Sequence, residues 1–94
     1  MHIKFEWDEA KRAANLDKHG VDFADVPGFG WDDAAHAVDD RADYGEERVV
    51  SLLPHEGRLY LCCWTERGEA ARIISVRKAN DREARAYARA RQGS

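Results

Sequence analysis

Leu59-Tyr60-Leu61-Cys62-Cys63-Trp64-Thr65, then Glu66-Arg67-Gly68-Glu69, then Ala71-Arg72-Ile73-Ile74-Ser75-Val76-Arg77, read as strand, turn and strand. The first piece is a continuous apolar run, the pattern of a central strand covered on both faces. The second is turn chemistry around a glycine, short enough to join antiparallel neighbours. Strict alternation along the third puts Arg72, Ile74 and Val76 on one face and Ile73, Ser75 and Arg77 on the other. Each face then mixes an aliphatic side chain with an arginine near one end. Upstream, Arg48 to Leu53 is a further strand, and Pro54-His55-Glu56-Gly57 supplies its turn. Three strands joined by short turns predict an antiparallel meander.

The flanks read as helices and edges. Ile3 to Trp7 alternates, which fits a short edge strand with Ile3, Phe5 and Trp7 on one face. Asp8 caps a helix running to about His19, ended by Gly20. Its expected buried side is Ala10, Ala13, Ala14 and Leu16. Lys11, Asn15 and Lys18 share another face, with His19 four residues after Asn15. Asp22 caps a second short helix with Phe23 and Val26 inward, and Pro27-Gly28-Phe29-Gly30 ends it. A strand follows near 35–39, then an acidic loop from Asp39 to Glu47. Asn80 with Glu83 three residues on resembles a capping box and opens a helix to about Gln92. There Ala84, Tyr87 and Ala88 are expected to face the sheet, and Arg82, Arg85 and Arg89 to line a separate stripe. Gly93-Ser94 reads as a disordered tail. The whole is one α+β domain over residues 1–94: an antiparallel meander flanked by two N-terminal helices and one C-terminal helix.

Charge is unevenly spread. Residues 67–94 carry eight Lys or Arg against three acids, and residues 1–66 carry seven against fifteen, so a net charge of −3 hides a dipolar molecule. A positive C-terminal third suits a polyanion, while the acidic remainder favours solubility. No apolar run approaches the roughly 18 residues of a membrane span. Met1 to Trp7 lacks the apolar centre of a signal peptide, which predicts a cytoplasmic protein with no membrane partner. Cys62 and Cys63, the only cysteines, are neighbours on a strand and point to opposite faces, so packing is their expected role rather than a disulfide. Neither C-x-x-C nor H-x-x-x-H spacing occurs, and neither a metal nor a cofactor is expected.

Several blocks in order resemble one known family: Phe5-Glu6-Trp7-Asp8, Lys11, Asn15, Lys18-His19-Gly20-Val21 and Phe23; Asp40-Arg41; Tyr44-Gly45-Glu46-Glu47-Arg48; Thr65-Glu66-Arg67-Gly68; and Arg72 to Ala79 with Arg82-Glu83 and Tyr87. Together, from about residue 5 to 88, they resemble the BrnT toxins. That resemblance implies a type II toxin of RelE-like fold that cleaves RNA and halts translation. It also implies a BrnA-type antitoxin carrying a ribbon-helix-helix DNA-binding segment, with operator DNA engaged only through that partner. Residues 27–36 depart from the usual Phe-Asp-Asp-Pro-type segment, and Val76 stands where a small residue is usual.

Cutting RNA without a metal requires deprotonation of the 2′-hydroxyl, charge stabilisation at the phosphorus and protonation of the leaving 5′-oxygen. Arg77 and Arg72 are the leading phosphate ligands, since guanidinium forks bind phosphate bidentately and stay charged. The plainer alternative is that each pairs with a carboxylate such as Glu47 or Glu66. Lys78, Arg82, Arg85 and Arg89 offer looser, salt-sensitive attraction, or form a solvated helix face. Lys18 and His19 are proton-transfer candidates, although a terminal His-Gly also serves as a helix end. Glu66 is a candidate base or, with Arg67, an orienting pair. Tyr87 either stacks on a base or packs in the core. A ribonuclease toxin and a non-catalytic binding module both accommodate these residues, and the antitoxin of the former would cover the basic site.

Overall fold

The computed structural model describes residues 3–40 and 43–93. Its single sheet contains β1 (Lys4–Glu6), β2 (Ala35–Asp39), β3 (Arg48–His55), β4 (Arg58–Arg67) and β5 (Ala70–Lys78), in the order β1-β5-β4-β3-β2. Helix α1 (Glu9–His19) follows β1, and α2 (Asp81–Gln92) ends the chain. Arg41 of the family-like pattern and Ser94 of the expected tail lie outside the described residues. Gly93 closes α2, its N–H donating to Arg89 O, where disorder was expected.

Strands β2 to β5 form the expected meander, each pair antiparallel. β1 is an edge strand, as its alternation suggested, but it pairs parallel to β5. The β3–β4 turn is tighter than Pro54–Gly57: Pro54 and His55 stay in the strand, and Glu56 and Gly57 turn the chain with φ of 49° and 77°. Two successive left-handed residues match the twist of a hairpin, and a glycine at the second removes half the steric cost. The α+β class holds, with one correction to the helices. The second N-terminal helix is a 3-10 helix, Phe23–Gly28, followed by another at Trp31–Asp33. Pro27 inside the first lacks the N–H that a continuing α-helix would use.

The main revision concerns β5. Cys63 pairs with Ser75 but Trp64 pairs with Ile73, so Ile74 is an extra residue, a β-bulge. Alternation restarts there. Ile73 and Val76 both enter the core, 1% and 0% exposed. Arg72 and Arg77 oppose Thr65 and Leu61, which lie four residues apart on β4 and hence on one face. The bulge therefore places both arginines on the same side of the sheet.

The other side carries the core, where Leu53, Cys62, Ile73 and Val76 pack against Val21, Phe23, Val26 and Phe29. Cys62 and Cys63 are both buried and neither forms a disulfide, as packing residues should be. Burial lifts the Cys62 thiol well above its ordinary range, with a smaller contribution from the neighbouring Cys63 thiol.

Helix α1 begins and ends as its sequence specifies, with the Asp8 side chain accepting from Lys11 N and Gly20 left-handed at φ 72°. Its expected buried stripe is absent: Ala10, Ala13, Ala14 and Leu16 are exposed, and Asn15 is the buried residue. The cause lies in the sheet. β1 pairs with β5 only from Ala70 to Arg72, so the rest of that edge needs other partners. Asn15 supplies them, accepting from Val76 N at 3.1 Å and donating to Val76 O at 2.8 Å and Val21 O at 3.0 Å. One amide side chain thus imitates a strand residue, satisfying buried backbone groups that are costly to leave unpaired.

Helix α2 opens with the full capping box expected of Asn80 and Glu83. None of its residues is buried; Ala84 and Ala88 are exposed and Tyr87 is half-buried, so the predicted apolar face does not form. Alanines offer too little area to drive docking. Polar ties hold the helix instead: Glu83 to Arg77 at one end, and Tyr87 Oη to Asp33 O (2.7 Å) with Arg91 to Asp33 (3.3 Å) at the other. The helix therefore spans from β5 to the turn before β2.

Candidate active site

The face opposite the core is organised by register. Asp39, Arg48, Thr65, Arg72 and Glu6 occupy one row across five strands. Arg72 donates from Nη1 to Glu6 Oε2 at 2.8 Å, and the pairing of Glu6 with Arg72 on neighbouring strands explains why. Four residues of β4 further along, about 13 Å at strand rise, Arg77 grips Glu83 with a two-bond fork of 2.8 and 2.7 Å. Arg77 holds the Glu83 carboxyl below its ordinary range, its hydrogen bonds outweighing partial burial. Neither arginine pairs with Glu47 or Glu66. As held, the two guanidinium groups diverge, Arg72 toward β1 and Arg77 toward α2. A hollow of about 260 Å³ opens beside Arg77, with Val50 and Leu61 in its lining.

Arg48 and Arg67 complete the basic end of this face. Arg48 lies over the Tyr44 ring, 3.9 Å from its centroid, and 3.6 Å from Glu46. Arg67 reaches the same carboxylate at 3.5 Å. Thr65 between them donates to Glu47 O at 2.7 Å, fixing the loop that carries Tyr44 and Glu46.

The remaining candidates fall elsewhere. α1 advances along β5 in the same sense, since Glu6 stands opposite Arg72 and Asn15 opposite Val76. One further turn, about 6 Å, carries Lys18 and His19 toward the end of β5 occupied by Arg77 and Lys78. Lys18 is exposed and His19 half-buried, and neither has a side-chain partner among the described residues. Lys78, Arg82, Arg85 and Arg89 are exposed. Tyr87 spends its hydroxyl on Asp33 O, which favours a structural role over base stacking. Glu66, paired with Ala71, points to the core side and lines a different cleft with Trp64, so it stands apart from the arginines.

Sequence reasoning missed Glu6, Glu83 and Arg48 as neighbours of the arginines. Glu83 carried a signal: a capping-box acid six residues after Arg77 returns over the strand it follows. Glu6 and Arg48 needed the strand register, which periodicity does not contain.

The fold and this face define a small α+β protein whose sheet presents four arginines, each beside a carboxylate. The comparisons narrow this class. Residues 7–83 match the family described as ribonuclease toxin, BrnT, of type II toxin-antitoxin system, and the chain belongs to that family. The structure is similar to the crystal structure of the Brucella abortus ribonuclease toxin BrnT, with a TM-score of 0.65 and 29% identity, covering 85% of this chain and 100% of that one. No curated protein matches the sequence. Membership makes the chain a ribonuclease toxin with an antitoxin partner.

Proposed function

We propose that this toxin cleaves RNA without a metal, using the arginine face, with Arg77 at the reacting phosphate and Arg72 on a more distant phosphate of the same strand. The observation that carries this is the bulge at Ile74, which puts both guanidinium groups on one side, each oriented by a carboxylate. Preset orientation is what electrostatic catalysis requires, because charge developing at phosphorus then meets a fixed cation. The separation of about 13 Å along the strands is the reason for placing the two arginines on different phosphates in this proposal. We assign proton transfer to Lys18 and His19 at the end of α1; Lys78, Arg67, Arg82 and Arg85 add backbone attraction.

In the wider reading the protein has the RelE-like fold, supported by its meander, and acts in the cytoplasm to halt translation. A BrnA-type antitoxin with a ribbon-helix-helix segment neutralises it and alone contacts operator DNA. The test of the RNA surface is a titration with a 2′-deoxy-substituted, uncleavable oligonucleotide, followed by NMR of arginine side-chain N–H groups. Shifts at Arg72 and Arg77 are expected. Shifts confined to other arginines would reject the assignment.

A further inference from the structure

On the core side, a cleft of about 790 Å³ opens between the 3-10 helices and the first residues of β5. Four acids line it, Asp32, Asp33, Glu66 and Glu69, and among the described residues no lysine or arginine does. Trp31 and Trp64 form its apolar wall, both half-buried. Their polar edges are already used: Trp31 Nε1 donates to Val26 O at 2.9 Å, and Trp64 Nε1 to Ser51 Oγ at 2.8 Å. What remains for a partner is aromatic surface beneath a ring of carboxylates.

Such a site repels phosphate and attracts cations, so it is no extension of the RNA surface. Asp32, Glu66 and Glu69 have no side-chain partner among the described residues. Asp33 shows the matching chemistry within the molecule, because Arg91 of α2 reaches it at 3.3 Å. The volume lies in the range of preformed binding clefts and accepts a few residues, not a whole domain. Arginine or lysine over an indole face, with a carboxylate beside it, gains from both the ring and the charge.

We infer that this cleft docks a segment of the antitoxin in which arginine or lysine residues flank an apolar anchor. The proposal rests on the chain being a toxin with an antitoxin, not on the cleavage site assigned above. It gives the antitoxin a second foothold, on the sheet side away from the arginines. Binding there is electrostatically complementary and predicts strong salt dependence.

The test is the Asp32→Lys/Glu69→Lys double variant, whose two positions are exposed and lie outside the cleavage site. Affinity for the purified cognate antitoxin is measured beside a control, Asp17→Lys/Glu56→Lys, which makes the same charge change at exposed residues outside the cleft. A loss of at least tenfold is expected for the cleft variant and less than threefold for the control, with thermal melting unchanged in both. Equal effects in the two variants, or none, would overturn the inference. A wild-type toxin that self-associates, and loses only that association in the cleft variant, would reassign the cleft to a second copy and also overturn it. RNA cleavage is measured in parallel: failure of wild-type cleavage rejects the proposed catalysis while leaving the antitoxin result interpretable.

Discussion

Replacing Asn15 by alanine tests how α1 is fastened to the sheet. The side chain is 7% exposed and makes three hydrogen bonds, all to main-chain groups distant in sequence or at the helix exit. Truncation leaves Val76 N–H and two carbonyls without these partners. An unpaired buried N–H costs about 1–3 kcal/mol, and carbonyls tolerate under-satisfaction better, so the total is about 2–4 kcal/mol. A domain of this length has a stability of roughly 5–14 kcal/mol, so the loss is a large fraction of the whole. Each kcal/mol lowers the melting temperature of such a domain by about 4–8 °C, giving a drop of roughly 8–32 °C. Urea unfolding gives the free energy directly, and hydrogen exchange at the Val76 amide gives its local origin. Asn15→Asp keeps an acceptor for Val76 N–H but sets a carboxylate against two carbonyls, so its folded pKa should rise. Its destabilisation should be greatest above that raised pKa and ease as acid protonates the group. A change below about 0.5 kcal/mol for Asn15→Ala would refute the edge-covering role.

Other outcomes follow from single contacts. The Arg12–Asp22 pair, 2.7 Å at its shortest, lowers the Asp22 pKa to about 2, chiefly through the Arg12 hydrogen bond. Its stabilisation is present above the ordinary aspartate value and lost as pH falls toward 2. Asp22→Asn should therefore flatten the acid limb of a melting-temperature profile between about pH 4 and 2, and an unchanged limb would discount the pair. A Cβ on Gly30 would lie 2.8 Å from Pro54 O, where Gly30 N also donates at 2.7 Å. Gly30→Ala should cost about 1–3 kcal/mol in chemical denaturation, and a neutral result would mean the segment yields freely. Both cysteines should resist a thiol reagent until the protein unfolds, since they are 0% and 6% exposed; labelling of the folded protein would show otherwise. Removing Arg82, Arg85 and Arg89 together should weaken RNA binding and reduce the log–log salt slope by about 2, at roughly 0.7 per phosphate contact. An unchanged slope would place the helix off the RNA path.

Much of this architecture was visible in sequence because it follows from local rules. Asp8, Gly20, Asn80 and Glu83 mark helix ends by side-chain chemistry that acts within three or four residues. The apolar run at Leu59 and the glycine turns specify the meander in the same local way. What escaped was decided by non-local pairing. Ile74 looks like any strand residue, yet as a bulge it moves Arg72 to the face of Arg77, and period-two reasoning then assigns the wrong side. Asn15 reads as surface on a polar helix stripe, and its burial follows only from β1 stopping at Arg72. The alanine faces of both helices misled in the same way, because pattern without area does not bury a helix. Arg72 and Arg77 could be named from the sequence as candidates, but the face they share, their carboxylate partners and the placement of Glu66 on the core side required the register.

The central claim is that the bulge-aligned arginine face performs the cleavage. Its most direct test is RNA cleavage by the purified protein in EDTA, beside Arg77→Ala and Arg72→Ala variants shown to fold and to bind the antitoxin. The account predicts cleavage by the wild type that persists in EDTA, a loss of 100-fold or more with Arg77→Ala, on the order of one catalytic electrostatic contact, and a smaller loss with Arg72→Ala. Full activity of a folded Arg77→Ala variant, or wild-type cleavage abolished by EDTA, would contradict it.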